Sequence, residues 1–309
     1  MRIVLIGQAA FAEKALETLH ARGETIVHVF APPDEPGGRP DPLKRKALEL
    51  KLPLSQPASF RGEREFEHFK SIDADLAVMA FVTIIVPERV LYAPRHRTIC
   101  FHPSLLPRHR GASGINWAII HGDAETGATW FWPDRGIDTG PILIQRRVPI
   151  GPADSTGSLY FNTLFPLGIE TMVEAIDLIR ADKAPVIAQD ERLATYEPPC
   201  RDEHAQIDFR KPAREVHNQV RGCDPQPGAF ATLGGRRLSL YDALPLGGAV
   251  DAPPGAIVAI DERAMTIALD GGSLAVRRVR FDPSPKKITP AELAAAGELA
   301  VGAHCNQDD

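Results

Sequence analysis

Residues 2–31 read RIVLIGQAAFAEKALETLHARGETIVHVFA, and they set the architecture of the chain. Arg2 to Gly7 is a short apolar run closed by glycine, the pattern of a strand buried on both faces of a parallel sheet. Phe11, Ala15, Leu16 and Leu19 then recur at helical spacing, and Thr25 to Ala31 is again rich in strand-forming residues. Strand, helix and strand within about 30 residues make a βαβ unit, which predicts an α/β protein on a mostly parallel, doubly wound sheet. The first turn, Gly7-Gln8-Ala9-Ala10-Phe11, carries one of the three glycines of a dinucleotide fingerprint, so neither NAD(P) nor a flavin is expected.

Outward from that unit, Pro32 to Pro42 (PPDEPGGRPDP) reads as a surface loop. Asp75 to Phe81 and Thr98 to His102 read as further strands, and Gly114 to Gly122 as a helix. Ala128 to Trp132 and Ile142 to Ile150 read as strands around a glycine-rich turn, and Thr156 to Ala184 as a long helix broken near Pro166. The character changes after Lys183. An irregular stretch with Pro198–Pro199 leads to a helix over Ala213 to Gly222. Short β-rich runs at 229–233, 237–241, 256–260, 265–269 and 274–281 follow, with Gly-Gly and Asp-Gly hairpin turns between several of them. They predict a small antiparallel barrel, OB-like in size. The boundary is drawn after residue 203, giving domains 1–203 and 204–309, with the tail after Ala303 expected to fray.

Composition bounds the function. The chain has 309 residues, enough for two domains, and 44% of them are hydrophobic, so a wholly disordered chain is excluded. With 35 basic against 40 acidic side chains the net charge is −5, which excludes a strongly basic nucleic-acid wrapper. Cys100, Cys200, Cys223 and Cys305 form no CxxC, so neither a structural zinc nor a disulfide framework is expected. No apolar run reaches the roughly 18 residues of a membrane helix. The strand-like run directly after Met1 is unlike a signal peptide, so the cytoplasm is the expected compartment.

The chemistry-bearing stretch is 101–143, FHPSLLPRHRGASGINWAIIHGDAETGATWFWPDRGIDTGPIL. His102 ends a predicted strand, and Pro103 stops the ladder, which delivers the imidazole to the carboxyl edge of the sheet, where open α/β sheets bind ligands. Asp138 lies in a second loop, DRGIDTG. On the residues alone, a lone strand-end His such as His102 is more often a hydrogen-bonded structural residue than a catalyst, and an Asp before Thr-Gly, as at Asp138, is often a turn former. They are 36 residues apart, and no periodicity brings them together.

HPSLLPRHRGASGINW followed by DRGIDTGPIL resembles the signature of the folate-dependent formyltransferases. The likeness extends from IGQAAF through PDEPGGRPDPL, YAPRH at 92–96, LFPLGIETMVEAIDLI at 164–179, ATYEPP at 194–199 and RGCDPQPGAF at 221–230. It is similar above all to the branch that forms the N-terminal hydrolase/formyltransferase domain of 10-formyltetrahydrofolate dehydrogenases. The resemblance implies a Rossmann-like catalytic domain, a smaller β-barrel domain and 10-formyltetrahydrofolate as formyl donor, with no metal and no NAD(P). It makes His102 and Asp138 the catalytic pair. The imidazole would stabilise the oxyanion or manage the nucleophile's proton, and the carboxylate would orient it and relay protons. It places the pterin against Phe81, Ile84, Ile85 and Val86, with Ser104, Asp134 and Gly136 as further folate contacts. Phe81 to Val86 reads alternatively as an ordinary buried strand end.

Position 100 departs from the amine-directed members, which carry Asn there. Cys100 offers a weak donor in place of an amide, which fits transfer to water. It reads either as an inert buried thiol or as a nucleophile. The expected reaction is release of formate and tetrahydrofolate. The alternatives are transfer to an amine (methionyl-tRNA, a sugar nucleotide or a small metabolite) and a non-catalytic folate-binding module. The acidic balance disfavours tRNA as a partner, although Arg39, Lys44, Arg45 and Lys46, and Arg236, Arg237, Arg277, Arg278 and Arg280, form local basic clusters. The longer dehydrogenases continue into a carrier and an aldehyde-dehydrogenase-like domain. This chain is expected to handle the formyl group without them, or with a partner chain supplied in trans.

Overall fold

The computed structural model describes residues 1–248 and 250–306. Contacts divide the chain into two compact units. The first holds Met1–Ala112, Gly127–Val148 and Asn162–Glu197; the second holds Ser113–Thr126, Pro149–Phe161 and the chain from Pro198 onward. The sequence reading draws a single cut after residue 203, whereas the units exchange two short stretches of chain.

The first unit is a seven-stranded sheet with strand order β3-β2-β1-β4-β5-β6-β7. β1 (Arg2–Gly7) pairs in parallel with β2 (Thr25–Phe30) and β4 (Leu76–Ala80), and β4 with β5 (Thr98–His102). β3 is the two-residue Leu54–Ser55. β6 (Glu125–Phe131) runs antiparallel to β5, and β7 (Ile142–Pro149) forms the far edge. Alternation along the central strands sends residues to opposite faces. Ile3, Leu5, Leu76, Val78, Ile99 and Phe101 pack under α1 (Ala9–Ala21) and α7 (Phe165–Arg180). Val4, Ile6, Ala77 and Met79 pack on the other face with Phe30, Phe60, Phe69 and Val90. Each fully buried side chain of this size contributes about 1.5–3 kcal/mol.

Three short helices of the first unit are absent from the sequence reading: α2 (Pro42–Glu49), α3 (Glu63–Ser71) and the single turn α4 (Glu88–Leu91). α3, EREFEHFKS, buries only Phe69, too little to stand out as an apolar stripe. The helix expected over 156–184 is α6 (Thr156–Leu159), a π-helical turn (Tyr160–Leu164) and α7. The interruption precedes Pro166, which sits in the first turn of α7, where a missing N–H costs nothing. Gly168 lets α7 approach the sheet: a Cβ there would lie 2.7 Å from Phe101 and 2.9 Å from Phe11, whose rings stack at 4.5 Å.

The second unit includes α5 (Gly114–Ile120), α8 (Asp202–Ala205), α9 (Ala213–Gly222) and a curled antiparallel sheet of order β10-β11-β12-β9-β8. The strands are β8 (Phe230–Leu233), β9 (Arg236–Leu246), β10 (Ile257–Ile260), β11 (Met265–Leu269) and β12 (Gly272–Phe281). Val216 and Val220 of α9 share a core with Leu240, Ile267 and Val279 of the sheet. The expected barrel is a half-barrel, with β8 and β10 left as its edges. The short α10 (Pro290–Ala295) follows. Residues 304–306 do not fray: Cys305 is buried, and the Asn306 amide accepts from the Thr232 N–H at 2.8 Å and donates to the Ile207 carbonyl at 2.6 Å. The rest of the expected frayed tail, 307–309, lies outside the described residues.

Candidate active site

His102 is the last residue of β5, and the pleat turns Cys100 and His102 away from the α1/α7 face that holds Ile99 and Phe101. The imidazole is 6% exposed. Its Nε2 donates to the His109 carbonyl at 2.7 Å. A carbonyl only accepts, so Nε2 carries the hydrogen and Nδ1 is the nitrogen left for chemistry. Nδ1 faces Asp138 Oδ2 at 3.5 Å, and the same Oδ2 accepts the Gly111 backbone N–H at 2.8 Å. The two residues that the sequence leaves apart are thus brought together.

Asp138 does not come from the carboxyl edge of a neighbouring parallel strand. β6 is antiparallel, with Phe131 beside Cys100 and Thr129 beside His102, so its end lies near the start of β5. The hairpin over 133–140 doubles back along the sheet to bring the carboxylate to His102. Asp138 holds φ +55°, a left-handed conformation that Asp tolerates better than most residues. The Gln189 side-chain amide fixes the hairpin by donating to the carbonyls of Asp138 at 2.8 Å and Gly140 at 2.6 Å. Gln189 Oε1 in turn accepts from Arg110 at 2.8 Å, and Arg110 pairs with Glu191 at 2.7 Å.

The loop after β5 is held from behind by the segment around Tyr196. Thr195 N–H donates to the Pro107 carbonyl, Arg110 N–H to that of Thr195, and Glu197 N–H to that of Arg110. His109 Nδ1 lies 3.2 Å from Glu197 Oε1. Gly111 adopts φ +106°, and a Cβ there would lie 2.6 Å from the Glu197 carbonyl, so only glycine presents its N–H to Asp138 from this position. These supports were missed in the sequence because backbone groups carry no residue signature. Arg110 stands in the HPSLLPRHRG motif and Gln189 in the stretch read as irregular, and neither position marks a support.

Cys100 feels the charge of the same carboxylate. Burial, and secondarily the negative charge of Asp138, push its thiol well above the usual range, so it stays protonated. Phe81, Ile84 and Ile85 are exposed, an apolar edge at the end of β4, and Phe81 holds φ +60°, unusual for a bulky side chain. Phe81 and Ile84 line a cleft with Gln8, Pro32 and Phe60 beside the point where the strand order reverses. There Asp41 Oδ2 accepts the Ala9 N–H at the start of α1. Val86 turns inward to the core with Phe60 and Phe69. Ser104 is fully buried, its hydroxyl donating to the Arg108 carbonyl at 2.7 Å, so the structure places both Val86 and Ser104 away from the open face. Asp134 Oδ1 accepts from Gly136 N at 2.9 Å and Thr139 Oγ1 at 2.6 Å, which shapes the hairpin. Among the described residues no helix is long and apolar enough to cross a membrane.

Comparison with known proteins follows the same outline. The family model described as formyl transferase matches residues 1–176, and that described as formyl transferase, C-terminal domain, matches residues 200–297. Mitochondrial 10-formyltetrahydrofolate dehydrogenase of Mus musculus is 38% identical over 97% of the chain; the chain spans only 34% of that protein. Methionyl-tRNA formyltransferase of Trichlorobacter lovleyi is 37% identical, over 97% of the chain and 96% of the relative. The crystal structure of HypX from Aquifex aeolicus in complex with tetrahydrofolic acid shares the fold, with a TM-score of 0.71 at 20% identity over 97% of this chain and 48% of that one.

Proposed function

The chain belongs to the formyl transferase family, and from that premise we propose that it moves the formyl group of 10-formyltetrahydrofolate to water, releasing formate and tetrahydrofolate. The single observation that carries the catalytic assignment is the facing pair His102 Nδ1 and Asp138 Oδ2.

A water molecule seated beside the pair and hydrogen-bonded to both atoms is the nucleophile. Nδ1 takes its proton as the oxygen attacks the formyl carbon, and the carboxylate holds the imidazolium that results. In the tetrahedral intermediate the charge develops on the former formyl oxygen. The Nδ1 proton then passes to N10 as the C–N10 bond breaks. Formic acid leaves and ionises to formate, and His102 returns to its neutral form. The pterin lies between the apolar edge at Phe81, Ile84 and Ile85 and the hairpin at Asp134, Gly136 and Ile137. No metal or nicotinamide enters this scheme.

Two observations favour water over an amine. The position that carries an amide in amine-directed relatives holds Cys100, a protonated thiol and weak donor. Three basic residues of the second unit are paired with carboxylates: Arg236 to Glu298 at 2.6 Å, Arg237 to Asp202 at 2.6 Å and Lys287 to Asp224 at 3.2 Å. Each pair lowers the positive charge that its side chain offers to RNA phosphates. The amine reading is favoured by the match to a methionyl-tRNA formyltransferase along 96% of that relative's length. The discriminating experiment incubates the purified protein with 10-formyltetrahydrofolate, with and without methionyl-tRNA or an amino-sugar nucleotide. Formate release in water alone is expected. Strict dependence on an amine replaces hydrolysis with transfer, and tight binding without turnover leaves a folate-binding module.

A further inference from the structure

We propose that Cys200 and Cys223 are a peroxide-reactive dithiol that closes to an intramolecular disulfide. The two residues are distant in sequence and carry no CxxC, but α5 pins the backbone beside each. Its N-cap Ser113 accepts the Cys200 N–H at 2.9 Å. One turn on, Asn116 donates to the carbonyl of Gly222, the residue before Cys223, at 2.8 Å. Thr156 Oγ1 donates to that carbonyl as well, at 2.7 Å. The end of α9 sits so close to α5 that a Cβ on Gly222 would lie 2.5 Å from Ile120. Residues one helical turn apart are surface neighbours, so the two cysteines are held side by side.

Cys200 packs against the apolar core that contains Cys223, and the two thiols influence each other. Their interaction draws the Cys200 thiol below its usual range, and with burial it pushes that of Cys223 up. Cys200 is half-buried, whereas Cys223 is fully buried in the second core. Reactivity follows thiolate character and access, so the order of events is set. The Cys200 thiolate attacks one oxygen of hydrogen peroxide. The O–O bond breaks, hydroxide leaves and takes up the proton that the Cys200 thiol released, and Cys200 becomes a sulfenic acid. Cys223 sulfur then attacks Cys200 sulfur, the S–O bond breaks, and the Cys223 proton goes to the departing hydroxide. In sum two thiols are oxidised, and one peroxide is reduced to two waters. The other two cysteines do not share these properties. Cys305 is buried with its thiol pushed up to about 12, and burial also raises the thiol of Cys100 well above its usual range.

The test treats the intact folded protein with stoichiometric hydrogen peroxide and maps non-reduced peptides. The expected product is one linked pair holding Cys200 and Cys223, lighter by two hydrogens and reopened by dithiothreitol. In Cys223→Ser, or Cys223→Ala should the serine variant fold poorly, oxidation stops at a sulfenic acid on Cys200 that dimedone traps. In Cys200→Ser neither link nor dimedone adduct forms on Cys223. Alkylation of Cys200 in the untreated protein outpaces that of Cys100 and Cys305 by about tenfold or more. The proposal is overturned if peroxide leaves both thiols alkylatable. It is equally overturned if the Cys200 sulfenic acid persists in the wild-type protein as long as in the Cys223 variants.

Discussion

His102 Nδ1 and Asp138 Oδ2 face each other at 3.5 Å, too far apart for a good hydrogen bond and near enough for one oxygen atom to touch both. His102→Ala and Asp138→Asn are each expected to lower kcat for formate release by about 10²–10⁴-fold, the usual worth of a positioned acid–base group. Thermal unfolding of Asp138→Asn should stay close to wild type, because its amide oxygen can still accept the Gly111 N–H. Near wild-type turnover in either variant removes that residue from the mechanism.

Gln189 holds Asp138 without touching the reacting atoms. Gln189→Ala frees the carbonyls of Asp138 and Gly140 and lets the hairpin drift, and small misplacements cost heavily in rate. We expect kcat to fall about tenfold or more with KM little changed. Gln189→Glu should resemble the alanine variant, because a carboxylate cannot donate to two carbonyls. A variant that shifts only KM, or only stability, contradicts this positioning role.

Cys100→Ala should retain most of the turnover, since a thiol kept protonated beside a carboxylate is a poor nucleophile. Complete loss in steady-state assays, with folding intact, would restore the thiol to the mechanism.

Acid should weaken the first unit through His28. Burial, and next the charge of His68, depress its imidazole to about 4, while its Nε2 meets Ser55 Oγ at 2.9 Å. The unfolded chain therefore binds more protons than the folded one between about pH 6.5 and pH 4, and stability drops as pH falls through that window. The expected loss is about 2 kcal/mol on going from pH 7 to pH 5. His217 of the second unit, also lowered by burial, acts there with the same sign. Urea unfolding against pH measures the slope, and His28→Gln should flatten it; an unchanged slope rules His28 out as its source.

Gly168→Ala reverses an ordinary rule. In a helix interior alanine is normally favoured by about 1 kcal/mol over glycine. Here the added methyl meets Phe101 at 2.7 Å and Phe11 at 2.9 Å, so the substitution should destabilise by about 1–3 kcal/mol in chemical denaturation.

The elements that bury a full apolar pattern were legible in sequence. β5 and α9 have the bounds read for them, and the RIVLIG strand and the helix after it lie where the periodicity put them. Elements held by few apolar contacts, such as α3 with its single buried Phe69, were not. The direction of β6 leaves no mark in composition, yet it determines how Asp138 arrives. The residue types of the site were recognisable from His102 and Asp138. Its supports, the His109 carbonyl and the Gly111 N–H, are groups that every residue or almost every residue possesses.

The hairpin that carries Asp138 has an uneven construction. Its shoulders are tied down through Asp134, Thr139 and Gln189, while Arg135, Gly136 and Ile137 at the tip are exposed. Tip and shoulder can therefore evolve at different rates. Changes at Arg135 and Ile137 can reshape what the site accommodates without disturbing the carboxylate, whereas a Cβ on Gly136 would clash with Thr139, so these two tip positions are a natural place to diversify selectivity by directed evolution.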